Sequence, residues 1–399
     1  MALGGSVVAW RQPAEAPDGL AFRIVGAHTD SPNLRLKPNP DSGGYGARQL
    51  GVEVYGGALW NSWLDRDLGV SGRVTVAAPS GTPYPVETRL VLIDRPVARI
   101  PQLAIHLDRG ANENGLKLNP QVHLAPVWGL GAPKSGDFLR FVATTLDIDP
   151  ASILGHDLMF HDLTEPALLG EHRELISAPR IDNQLSCWAA IEALLHSSAD
   201  GNQGDGSSDL KGGRTVAVVA LFDHEEVGSE SATGAASTLL STVLERISIA
   251  TGADREAFHA SLARSVCVSA DGAHAQHPNY PERHEPEHRI LLDHGPVLKH
   301  NANGRYATDA ISTAEFRLAA ETVGVPLQSF VVRSDMPCGS TIGPATAARL
   351  GIPVVDVGVG QLSMHSSREL CGTKDPGWFV HALTAFFTAA PQIPTPKPR

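Results

Sequence analysis

Residues 215–229 read Thr-Val-Ala-Val-Val-Ala-Leu-Phe-Asp-His-Glu-Glu-Val-Gly-Ser, an apolar run that ends in Glu225 and Glu226. The β-branched run without polar alternation predicts a strand buried on both faces, the kind found in α/β sheets. Two adjacent carboxylates at its end are poor material for a core. Neighbouring side chains at a strand end point in different directions, so one carboxylate can hold a metal while the other faces substrate. That division of labour suits a metallohydrolase, in which one carboxylate takes the proton from the attacking water. Read alone, such a pair is more often a solvated charge pair. The rest of the chain decides.

The 399 residues suggest two domains, or one large α/β domain with an insertion. Hydrophobic content of 42% and charged content of 19% are those of a globular protein. A net charge of −11 argues against nonspecific nucleic-acid binding. Cys187, Cys267, Cys338 and Cys371 show no paired ligand spacing, and three of them fall in segments that read as buried. Reduced thiols in a cytoplasmic protein are the simplest expectation. No apolar run is long enough to span a bilayer, and residues 1–10 lack the pattern of a signal peptide.

Outward from the central run, residues 21–32 carry an apolar strand into His28, with Asp30 two residues on. A metal-binding histidine usually gives its second ring nitrogen to a carboxylate, so this spacing fits a ligand with its own orienter. From about 41 to 158 the character changes. Alternating segments such as 51–55 and 70–76 predict partly exposed antiparallel strands, and 138–146 predicts a short helix. This block reads as an inserted β-rich domain, with the catalytic domain formed by 1–40 and 159–399. His106, inside the block, reads locally as structural.

Asp182 precedes a helical pattern, where capping is the commoner job of an aspartate. Residues 197–213 read as a Gly/Ser/Asp loop, and a helix is expected to open near 229–231. A buried strand at 265–269 delivers Asp271 and His274, and residues 295–300 place Lys299 at the end of a short strand. His284 and His288 lie in a charged segment that reads as solvated. The last buried strand, 352–357, leads to His365, and the Pro-rich tail after Ala390 reads as frayed.

Four buried strands therefore each end in a ligand-type residue or pair: His28, Glu225 with Glu226, Asp271, and His365. Asp182 adds a fifth position. Sites in open α/β sheets form at the carboxyl ends of strands, so these residues can converge. Two histidines and three carboxylates, one of them bridging, is the set expected for two close Zn2+ ions, with Glu225 left over as a base. Mn2+ or Co2+ would also suit such ligands.

The segments GAHTDSP (26–32), YGGALWNSWLDRDLGVSGRV (55–74), AIHLDR (104–109), DNQLSC (182–187), EEVGSES (225–231), SADGAHA (269–275), GPVLK (295–299), CGSTIGP (338–344) and MHS (364–366) resemble the aspartyl aminopeptidases. The similarity runs from about residue 4 to 387. It implies a mixed sheet flanked by helices, of di-zinc exopeptidase type, with a β-rich dimerisation domain at the insertion. It implies that His28 and Asp271 hold one zinc, Glu226 and His365 the other, and that Asp182 bridges them ahead of a non-proline cis peptide. Glu225, Asp30 and His106 are implied as catalytic, His106 reaching a neighbouring subunit's site. Lys299, His274 and Tyr306 are implied as substrate-binding. The family forms large cytosolic homo-oligomers acting on peptides with N-terminal Asp or Glu. Its members carry several dozen residues before the segment matching 4–11, a departure that bears on folding and assembly. Two other readings stay open: a di-zinc aminopeptidase or deacylase of different preference, and a non-catalytic oligomeric scaffold, against which an intact Glu225 argues.

Overall fold

A computed structural model describes residues 1–11, 20–79, 81–197 and 215–389. The loop expected at 197–213 falls, after Ser197, outside the described residues, as does the tail after residue 389. The chain divides into two compact units, one of Met1–Ser31, Ala167–Met364 and Glu369–Arg399, the other of Pro32–Pro166 and His365–Arg368.

The first unit is built on an eight-stranded mixed sheet. Its order is Ala2–Leu3, Ser6–Arg11, Thr215–Phe222, Ala21–His28, Val266–Ala270, Val354–Gly358, Val297–His300, Gln328–Val331. The strands Thr215–Phe222, Ala21–His28, Val266–Ala270 and Val354–Gly358 run parallel, each to the next. Every residue of Ala21–His28 is buried, which accounts for its lack of polar alternation. The two faces serve two cores. Val25, Ala27, Ala217, Val219 and Leu221 pack against the helices Ile181–His196, Ala310–Thr322 and Asp375–Thr388. Phe22, Ile24, Val218 and Phe222 pack against Leu239–Ala250, Arg255–Leu262 and Ile342–Leu350. Burying a side chain such as Phe22 contributes roughly 1.5–3 kcal/mol. The architecture is the mixed α/β sheet flanked by helices that the sequence predicts.

A second, five-stranded sheet in this unit orders Ala167–Leu169, Leu175–Ala178, Glu369–Gly372, Gly360–Leu362 and Ala273–His274. The helix expected near 229–231 begins instead at Leu239, after a turn in which Ser229 takes φ 63°. Small polar residues favour such turns over helix interiors.

The other unit is a six-stranded sheet, ordered Val86–Ala98, Leu68–Ala77, Ile153–Asp162, Asn33–Gly44, Ala47–Tyr55 and Val127–Leu130. Its pairings are antiparallel. The helix Asp137–Leu146 buries Phe138 and Val142 in the core beside Leu34, Val70 and Phe160.

Candidate metal centre

The parallel register brings chemistry to one edge of the large sheet. Phe222 pairs with His28, and Ser269 with Gly26, so Glu225, Glu226 and Asp271 emerge beside the end of the central strand. His28, only 1% exposed, is the last residue of its strand. Its Nε2 lies 3.3 Å from Oδ1 of Asp182 and 3.7 Å from Oδ1 of Asp271. His28, Asp182 and Asp271 each offer a ligand atom within 4.8 Å of the others, and so do His28, Glu225 and Glu226.

Asp182 is not a helix cap. It lies inside Ile181–His196 with non-helical φ −80° and ψ 107°, and the Asp182–Asn183 peptide is cis. Its N–H donates to Oε2 of the buried Glu369 at 2.8 Å, and its carbonyl accepts from Ser31 Oγ at 2.8 Å. Asn183 Nδ2 donates to the carbonyl of Ala270 at 2.8 Å, and Cys187 Sγ to that of His28 at 2.9 Å. Backbone from two strand ends, the helix and the side chain of Glu369 are thereby tied together around the carboxylates.

Asp30 differs in part from its expected role as an orienter. Its main-chain carbonyl, not its carboxylate, is the nearer partner of His28 Nδ1, at 2.9 Å against 3.5 Å. The carboxylate also accepts the N–H groups of Glu225 and Glu226, at 3.0 and 3.1 Å. It thus holds the turn that aims both glutamates.

The electrostatics are those of a cation site. Burial pushes Glu225 up to about 7; His28 opposes this, while Asp271, Asp182 and Asp30 add to it. Burial works against a proton on His28, yet Asp182, Asp271 and Asp30 outweigh it and hold the imidazole well above its ordinary range. Oxygen and nitrogen donors that crowd together and compete for protons in this way fit divalent metal ions.

His365 stands in the connection between the paired strands Gly360–Leu362 and Glu369–Gly372, at φ 66°. It groups with the second unit, where its Nδ1 is 3.2 Å from the carbonyl of Gly57. His106 lies on an exposed turn of that unit. Lys299 is 2% exposed; its Nζ donates to the carbonyl of Gly272 at 3.0 Å and lies 3.8 Å from Oδ2 of Asp271. The same ammonium is 5.1 Å from the ring centre of Tyr306. Tyr306 and His274 line a cavity of about 270 Å³ together with Phe330, Met336, Cys338 and Met364. His284, read as solvated, also reaches this cavity and accepts the N–H of His277 at 3.0 Å, while His288 pairs with Glu285.

Several supporting residues escaped sequence reading. Ser31, Asn183 and Cys187 lay within recognised segments without an assigned role, and Glu369 carried no local signal.

Residues 2–387 match the family described as aminopeptidase I zinc metalloprotease (M18). The chain is 51% identical over 384 residues to a probable M18 family aminopeptidase 2 of Streptomyces coelicolor, covering 96% of this chain and 85% of that protein. Its counterpart in Mycobacterium tuberculosis is 51% identical over 389 residues, covering 96% and 86%. Among solved structures, the Ape4 and Nbr1 complex is similar with a TM-score of 0.88 and 40% identity, covering 96% of this chain and 74% of that one. The S. cerevisiae mApe1 dodecamer is similar with a TM-score of 0.77 and 30% identity, covering 96% and 83%. The chain belongs to the M18 family of zinc metalloaminopeptidases.

Proposed function

We propose that this member of the family uses two metal ions to release N-terminal Asp or Glu from peptides. The observation that carries the preference is the ammonium of Lys299, buried 3.8 Å from Asp271 and beside Tyr306 of the cavity wall. A buried cation next to a cavity is a partner for an acidic side chain, which a chain of net charge −11 would otherwise repel. Lys299, with His274 and Tyr306, reads that side chain.

His28 and Asp271 would hold one ion and Glu226 and His365 the other, with Asp182 available to both. Zinc is the expected metal, and Mn2+ or Co2+ suit the same donors. When bound, such ions would supply positive charge to polarise the scissile carbonyl and lower the pKa of the attacking water. Glu225 accepts that water's proton and passes it to the departing amine. Asp30 keeps Glu225 and His28 in place. His106 serves the site of a neighbouring subunit by donating to the developing oxyanion, in a cytoplasmic homo-oligomer built from dimers through the second unit. Among the described residues no helix is long and apolar enough to cross a membrane.

The test is hydrolysis of a panel of aminoacyl chromogenic substrates, with metal analysis of the same sample. Preference for Asp and Glu with two equivalents of metal is expected. A preference for apolar residues would overturn the specificity, and one equivalent at full activity the metal count.

A further inference from the structure

Tyr306 and Lys299 stand on separate segments, and one buried carboxylate connects them. Asp356 is fully buried on the strand Val354–Gly358. Its Oδ2 accepts the N–H of Ala307 at 2.6 Å, and its own N–H donates to Oγ1 of Thr308 at 2.9 Å. Two bonds thus clamp the residues that directly follow Tyr306. Oδ1 accepts from Oγ1 of Thr341 at 2.6 Å, and that Thr341 oxygen caps the helix Ile342–Leu350 by accepting the N–H of Gly343. A Cβ on Gly343 would stand 2.5 Å from Oδ2 of Asp356, so the close seat of the carboxylate requires glycine there. The segment CGSTIGP, left without a role by the metal chemistry, is in part the socket for this carboxylate. On the other side, Val297 pairs with Gly358 and Leu298 with Val357. Continuing that register puts Lys299 across from Asp356, whose carboxyl burial pushes up while the Lys299 ammonium pulls it down.

A buried carboxylate with satisfied bonds ordinarily needs no explanation beyond stability. Here two of its bonds go to the residues that directly follow Tyr306, which lines the cavity. We propose that Asp356 is a positioning residue for recognition of the substrate's first side chain, fixing Tyr306 in the cavity wall and setting a counter-charge opposite Lys299. The inference rests on the assignment of Lys299 and Tyr306 as the residues that read that side chain. Its physical content is preorganisation. A clamped 306–308 segment spends no substrate binding energy on being ordered.

Asp356→Asn keeps the shape but replaces one acceptor oxygen with a donor, so Ala307 or Thr341 loses its partner. Thr308→Val removes the return bond and leaves the carboxylate in place. Both are measured for kcat and KM on Asp-, Glu-, Ala- and Leu-substrates, with zinc content and unfolding midpoint. The acidic-to-apolar ratio of kcat/KM is expected to fall by at least about fivefold, the worth of one hydrogen bond, and KM for acidic substrates carries the change. If Asp356→Asn does not fold, Thr308→Val decides. An unaltered ratio in folded, zinc-loaded variants, or an equal loss on both substrate classes, overturns the inference. Lys299→Met in the same assays separates the two levels. A ratio that moves with Lys299→Met alone leaves the specificity reading standing without Asp356. A ratio indifferent to Lys299→Met removes the reading itself.

Discussion

The carboxylate of Asp30 receives the main-chain N–H of Glu225 at 3.0 Å, and that of Glu226 at 3.1 Å. The direction of both glutamate side chains is therefore set through backbone, by a residue 195 positions from one and 196 from the other. Substituting the Glu225 side chain leaves this support intact. Glu225→Gln is expected to keep both metals and lose turnover by ~10²–10⁴-fold, the usual worth of a general base. Inductively coupled plasma analysis with steady-state assays checks this. Wild-type rates would remove the base assignment, and loss of metal would exchange the roles of Glu225 and Glu226.

Lys299→Met replaces a buried ammonium with an apolar chain of similar reach. Breaking a desolvated charge pair costs on the order of 2–5 kcal/mol, whereas a solvated lysine contributes close to nothing. Efficiency on Asp- and Glu-peptides should drop at least about tenfold, with Ala- and Leu-peptides spared or improved. Equal losses on both classes would mean that Lys299 supports Asp271 and the metals and does not select the substrate.

His106 is exposed on its turn in the single chain. A partner subunit that uses it would make isolated protomers nearly inactive even with zinc bound. Mixing His106→Ala with Glu225→Gln subunits should restore part of the activity, because a mixed dimer can assemble one complete site. Verified mixed oligomers without any recovery would exclude the shared site.

A pH effect on stability is expected at Asp375, which starts the helix Asp375–Thr388 and accepts the N–H groups of Asp293 and Gly295 at 2.7 and 2.8 Å. Burial pushes this carboxyl from 3.8 up to about 6, against the pull of those two N–H groups. Between those values the folded state keeps a proton that the unfolded state has lost, so stability falls as pH rises through this window. The span corresponds to at most about 3 kcal/mol. Asp375→Asn removes the titration. The stability of wild type relative to that variant should decline from pH 4 to pH 6.5 in denaturant titrations and stay level above. A difference independent of pH would refute it.

Much of the fold was legible because burial on two faces leaves a local mark. The apolar character of Thr215–Phe222, and of Ala21–His28 apart from Arg23, identifies central parallel strands, and ligand-type residues at the ends of such strands stand out. Alternation at 51–55 and 70–76 likewise marks the antiparallel sheet of the second unit. These signals depend only on which face of a short segment meets water.

What stayed hidden depends on pairs distant in the chain. Glu369 reaches the N–H of Asp182 across 187 residues, and Asp356 holds Ala307 across 49. Neither carboxylate has neighbours in sequence that announce its partner. The exchange at Asp30, where a carbonyl takes the imidazole and the carboxylate takes two backbone N–H groups, is likewise set by a turn from another strand. The sequence by itself singled out the ligand-type residues that follow buried strands, His28, Glu225, Glu226 and Asp271 among them. The tertiary structure decided which backbone and carboxylate groups hold them there, because a buried polar group must find a partner wherever the packing of other segments supplies one.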